Sequence, residues 1–94
     1  PCAPYQTFGT LELAEAAVEA CGESDAVLLA NHGLVACGTD LDRAYALACD
    51  MEFLAELQYR AMCIGTPNVL SHAQMAEVLA RFQTYGQPKD ETAR

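Results

Sequence analysis

The sequence predicts an α/β fold, with a β-hairpin and about three helices. Two apolar runs, Ala26-Val27-Leu28-Leu29-Ala30 and Leu34-Val35-Ala36-Cys37, flank the polar triplet Asn31-His32-Gly33. A polar triplet ending in Gly between two such runs reads as a tight hairpin turn. Three further stretches, beginning near Leu11, Asp40 and Ser71, carry apolar residues at helical spacing. Strand and helix signals alternate along 94 residues, a length suited to one small domain.

Pro1 to Gly9 holds two prolines and the aromatics Tyr5 and Phe8, and is read as an extended opening segment and edge strand. Thr10 is placed to cap a helix over Leu11–Cys21, with Leu13, Ala17, Ala20 and Cys21 on its apolar face. Gly22 is a natural stop. The run Ala26–Ala30 lacks polar alternation, which predicts a strand covered on both faces. Asp42 follows Thr39 by three residues as a near capping box. The helix it introduces is expected over about Asp40–Cys63, roughly 36 Å long at about 1.5 Å per residue. Leu41, Tyr45, Ala48, Leu54, Ala55, Tyr59 and Met62 approximate its apolar stripe, and Gly65 and Pro67 close it. Ser71-His72-Ala73-Gln74 is a capping box, followed by Met75, Val78, Leu79 and Phe82 at helical spacing. Tyr85-Gly86 leaves that helix, and residues 87–94 are read as a polar, frayed tail.

Composition narrows the function. Thirteen acidic against five basic side chains give a formal charge of −8. That balance argues against binding nucleic acid through its phosphates and against anionic membrane surfaces. No apolar span is long enough for a membrane helix, and no signal peptide opens the chain. Five cysteines, with no C-x-x-C pair, predict small buried hydrophobes and a reducing, cytoplasmic compartment. The hydrophobic fraction of 52% exceeds what a lone small domain hides easily, so part of it is expected to face another segment or a partner chain. The first residue is Pro1, not Met, so these residues are expected to be the remainder of a longer polypeptide.

His32 is the first candidate for chemistry. A hairpin turn presents an imidazole on a rigid frame, where it can ligate a metal. Local sequence alone favours the simpler reading of a polar turn residue. With only two histidines, and His72 inside a capping box, three imidazoles cannot be assembled for a zinc centre. Tyr85 could donate a proton to a developing alkoxide, or simply cover the edge of the core. Phe8 and Tyr5 could line an apolar pocket or anchor the opening segment. The carboxylates read as solvated faces, and there is no phosphate loop or nucleophile elbow.

Three ordered segments add a resemblance. Pro1-Cys2-Ala3-Pro4-Tyr5-Gln6-Thr7-Phe8-Gly9-Thr10, then Leu28-Leu29-Ala30-Asn31-His32-Gly33-Leu34-Val35-Ala36-Cys37, then Phe82-Gln83-Thr84-Tyr85-Gly86 resemble the C-terminal portion of the class II aldolase/adducin family, in its fuculose-phosphate branch. The likeness runs from Pro1 to about Gly86. It implies that residues 1–86 are the C-terminal part of a three-layer α-β-α class II aldolase domain. It further implies a Zn2+ ion held by three histidines, the third matching His32, beside a glutamate. Tyr85 matches a catalytic tyrosine, and Phe8 an aromatic at the aldehyde pocket. The family's His-x-His pair, glutamate and phosphate loops have no match here and are expected from an absent N-terminal part. The activity implied is reversible cleavage of L-fuculose 1-phosphate, or a related sugar phosphate, to dihydroxyacetone phosphate and an aldehyde, in a homotetramer. Zinc would stabilise the enediolate, and its binding would weaken at acid pH because a ligating imidazole is neutral. The 94 residues alone are not expected to be competent. Alternatives within the family are a pentose-phosphate 4-epimerase, a dehydratase, or a non-catalytic adducin-like oligomerisation module.

Overall fold

The computed structural model describes residues 1–86. The six elements run β1 (Cys2–Ala3), α1 (Leu11–Cys21), β2 (Ala26–Leu29), β3 (Gly33–Ala36), α2 (Leu41–Ile64) and α3 (His72–Phe82). The chain divides into two compact units, one spanning Pro1–Ile64 and the other beginning at Gly65. The expected tail, residues 87–94, lies outside the described residues.

The first unit is built on a three-stranded sheet in the order β1-β2-β3. β1 pairs parallel to β2, with Cys2 opposite Leu28 and Ala3 opposite Leu29. The backbone N–H of Leu28 donates to Pro1 O at 3.0 Å, and that of Ala30 to Ala3 O at 3.1 Å. The opening segment is therefore an edge strand, as its prolines require. Parallel neighbours need a crossover, and α1 supplies it. β2 and β3 form the antiparallel hairpin, with Ala26 opposite Ala36 and Leu29 opposite Gly33.

Side chains alternate across a strand, so Val27 and Leu29 share one face. With Ala3 they form the buried cluster on which Leu13, Ala16, Ala17, Ala20 and Cys21 of α1 pack. The expected covering of β2 on both faces holds fully on this side and only in part on the other, where Ala26 is buried. Leu28 points the other way and is 38% exposed. α2 packs against β3, leaving the middle of the sheet's second face open. The stripe expected for α2 is corrected likewise. Its half-buried positions are Ala44, Leu47, Ala48, Met51 and Ala61, so of the expected stripe only Ala48 is covered, while Leu41, Tyr45, Leu54, Ala55, Tyr59 and Met62 are exposed. A short strand can cover only about two helical turns, so most of a 24-residue helix is left without a partner among the described residues.

Local signals set the helix ends. Thr10 Oγ1 accepts from Leu13 N at 3.2 Å. Gly22, at φ 55°, closes α1 with its N–H on Val18 O at 3.2 Å. Asp40 rather than Thr39 caps α2: Asp40 Oδ1 accepts from Arg43 N at 2.8 Å, and Asp40 O from Ala44 N at 3.1 Å. A carboxylate also complements the positive end of the helix dipole, which a threonine does not. In the second unit, Ser71 Oγ accepts from Gln74 N at 3.2 Å and Gln74 Oε1 from Ser71 N at 2.9 Å, completing the capping box of α3.

Gly38 sits where β3 gives way to α2. A Cβ there would lie 2.7 Å from Ala44 N and 3.1 Å from Arg43 C, both backbone atoms. Gly38→Ala is therefore expected to push α2 off its seat and destabilise the fold by about 1–3 kcal/mol. A urea titration reads this directly; an unchanged midpoint would show that α2 can shift freely.

The expectation of buried cysteines fails. Cys2, Cys37, Cys49 and Cys63 are exposed and Cys21 is half-buried, all as free thiols. Cys21 packs at the edge of the contact between α1 and the sheet, whereas the other four lie outside that buried cluster. No helix among the described residues is long and apolar enough to cross a membrane.

Candidate functional site

Parallel pairing decides what meets at one edge of the sheet. β1 and β2 run the same way, so the chain leaves both at a common edge. The loop after β1 carries Phe8 and the turn after β2 carries His32. α1 also starts there, since it returns the chain from that edge to the start of β2. The carboxyl ends of parallel strands are where open α/β sheets place their ligands.

The turn itself is tightly determined. Leu29 and Gly33 pair as the last rung of the hairpin, leaving Ala30, Asn31 and His32 as the loop. The N–H of His32 donates to Leu29 O at 3.1 Å, closing a β-turn over Leu29–His32. Asn31, its third residue, has φ 59°. Positive φ at that position is the type II pattern, which favours Gly or Asn. Asn31, not Gly33, thus takes the left-handed conformation, and Gly33 opens β3. Next to this residue the His32 side chain is exposed, and its imidazole makes no hydrogen bond or ion pair with the described residues. It is an available donor.

Phe8 is 78% exposed, on a turn that ends at Gly9 with φ 74°. Tyr85 belongs to the second unit, in the turn after α3, and is 83% exposed. That turn is held by Thr84 N–H on Arg81 O at 3.2 Å and by Gly86 at φ 75°. His72 is the first residue of α3 and is exposed, as a helix-surface residue should be. A catalytic zinc takes three donors from protein. Among the described residues no group of three His, Cys, Asp or Glu side chains is arranged to hold a metal ion. His32 offers one donor, so the described residues do not by themselves make a metal centre.

Among the concavities elsewhere in the first unit, two lie where the hairpin meets α2. One, of about 420 Å³, is lined by Asp25, Cys37, Gly38, Thr39, Arg43 and Leu47, at the sheet edge opposite His32. The other, of about 520 Å³, lies between β3 and α2 and is lined by Leu34, Tyr45, Ala48, Cys49 and Glu52. There the hydrogen bond and charge of Cys49, one helical turn on, raise the Tyr45 hydroxyl above the ordinary tyrosine pKa. The i, i+4 spacing of Tyr45 and Cys49 is the sequence signal for that pair.

Residues 1–59 match the family model described as "Class II Aldolase and Adducin N-terminal domain". The chain belongs to the class II aldolase and adducin family. It is 47% identical over 87 residues to the L-fuculose phosphate aldolase of Escherichia coli K12, covering 92% of this chain and 40% of that protein. It is 44% identical over 86 residues to the 5-deoxy-D-ribulose 1-phosphate aldolase of Bacillus thuringiensis serovar kurstaki, with coverages of 92% and 40%. A third relative is the 5-methylthioribulose-1-phosphate/5-deoxyribulose-1-phosphate aldolase of Rhodospirillum rubrum, 44% identical over 82 residues, with coverages of 87% and 37%. Among solved structures, an L-fuculose 1-phosphate aldolase superposes with a TM-score of 0.80 at 36% identity, over 87% of this chain and 39% of that one. The fold is therefore the class II aldolase fold, and the chain spans about 40% of the length of these curated relatives.

Proposed function

We propose that this chain forms part of a metal-dependent class II aldolase that reversibly cleaves a ketose 1-phosphate, L-fuculose 1-phosphate foremost, to dihydroxyacetone phosphate and an aldehyde. The observation that carries this reading is the exposed His32, without a side-chain partner among the described residues and held on a fixed turn at the edge where two parallel strands end. Relatives named for cleavage of sugar 1-phosphates support the substrate class.

In this reading His32 supplies one imidazole to a divalent cation, Zn2+ foremost, with the other donors coming from outside the described residues. The cation, when bound, offsets the negative charge that develops as the carbon–carbon bond breaks. Phe8, at the same sheet edge, provides an apolar wall for the aldehyde end of the substrate. Tyr85 exchanges a proton with the aldehyde oxygen. The exposed apolar positions of α2, such as Phe53, Leu54 and Leu57, are where other segments or further subunits of a homo-oligomer would pack.

The test is a cleavage assay on the full-length protein with L-fuculose 1-phosphate and 5-deoxyribulose 1-phosphate in parallel. Dihydroxyacetone phosphate is expected from at least one, lost after chelation and restored by Zn2+. Epimerisation of a pentose phosphate without cleavage would replace this reading with the epimerase one. Absence of any turnover in zinc-loaded protein would favour a packing module. Within the same assay, Tyr85→Phe is expected to lower turnover by about 10²-fold, the range for loss of a general acid, with metal content unchanged. Unaltered turnover would remove Tyr85 from the reaction.

A further inference from the structure

We infer that Asn31 is a positioning residue for the His32 imidazole, acting through its left-handed backbone; this rests on the ligand role proposed for His32. Asn31 is the only non-glycine residue among the described ones with positive φ, at 59°. It lies between two anchors on different strands. Ala30 N–H is tied to Ala3 O of β1 at 3.1 Å, and His32 N–H to Leu29 O of β2 at 3.1 Å. The residues on either side of Asn31 are therefore fixed, and φ at 31 sets the path between them.

That path determines where the imidazole stands. If residue 31 relaxed to negative φ, the His32 N–H would leave Leu29 O, and the side chain one residue on would swing with it. Asparagine enters the left-handed region at little steric expense, whereas alanine is disfavoured there and a β-branched residue strongly so. Glycine also reaches it, but without the same restriction to one conformer. Strain held by surrounding hydrogen bonds beside a functional side chain is how a site is fixed in advance of its ligand.

The experiment is a Co2+ titration of metal-free full-length protein, followed by its visible absorption, on Asn31→Gly, Asn31→Asp, Asn31→Ala, Asn31→Val and His32→Ala. Urea unfolding is measured on each. Gly and Asp variants are expected to bind Co2+ within about 3-fold of the parent, because each reaches positive φ. Ala is expected to weaken binding, and Val to weaken it by about 10–100-fold, the range for lost support of a metal ligand. These losses should persist under conditions where each variant is fully folded, which a purely structural role would not produce. Should Asn31→Val fail to fold, the contrast between Ala and Gly carries the result. Parent-like Co2+ affinity in folded Val or Ala variants, with affinity lost in His32→Ala, would overturn the inference alone. Unchanged affinity in His32→Ala would overturn the ligand role, and the inference with it.

Discussion

Replacing His32 with alanine is expected to abolish most of the metal binding and cleavage activity of the full-length protein while leaving its fold intact. The side chain is exposed and has no partner among the described residues, so its removal takes nothing from the core. The turn survives, because it is closed by the backbone N–H of residue 32 on Leu29 O at 3.1 Å, which alanine retains. In the proposed function one protein donor of the cation is lost. A drop of at least about 100-fold in Zn2+ affinity is expected, the upper end of what supporting residues alone cost. Metal content after dialysis, far-UV circular dichroism and the cleavage assay together read the result. Normal zinc occupancy with full turnover would end the ligand assignment.

Val27→Asp is expected to have the largest effect on stability. Val27 is 1% exposed and sits between Ala3 and Leu29 under α1. The substitution removes the most buried bulky side chain and puts a carboxyl group where its neighbours, Leu13, Ala16, Ala17, Ala20 and Cys21, are all apolar or nearly so. No salt bridge partner lies there, since the three ion pairs found among the described residues are on exposed helix faces. Burial of an unpaired carboxyl should destabilise by more than about 4 kcal/mol, a large part of the roughly 5–15 kcal/mol that holds a protein folded. The folded yield should collapse, and a Val27→Ala control should lose about 2 kcal/mol and remain folded. A soluble Val27→Asp variant with a parent-like urea midpoint would show that the α1–sheet contact does not hold this unit together.

The elements easiest to read in the sequence are those closed by neighbouring residues. Thr10, Gly22 and the Ser71–Gln74 pair act within three or four positions of themselves, so their residue types state their roles. The hairpin is similarly local. What the sequence conceals is set by distant partners. The inner face of α2 is chosen by β3, and apolar residues occur around much of that helix, so no single stripe stands out. The exposure of Leu28 and of four cysteines depends on how little of the sheet the two helices cover. The choice of Asp40 over Thr39 is a contest between adjacent capping residues that only the backbone path resolves. As for the site, His32 is conspicuous from its position between two apolar runs, but a lone imidazole does not declare a ligand; the role proposed for it rests on the family resemblance of the motifs around it. The sharing of one edge by Phe8 and His32 follows from the parallel pairing of β1 with β2, a contact across more than twenty residues. The backbone of Asn31 is visible only in three dimensions, although Asn next to a turn histidine is the compositional hint.

The β1–β2 ladder also orders events in time. A hairpin closes within microseconds, because its strands are neighbours along the chain. β1 can join only after the intervening crossover has formed and the loop entropy of a non-local contact has been met. The bend bearing His32 should therefore exist early and be locked last, when Ala3 accepts its hydrogen bond from Ala30. A nascent or partly folded molecule would carry the imidazole in a mobile frame, and under the proposed function capture of a cation would come at the end of maturation rather than guide it.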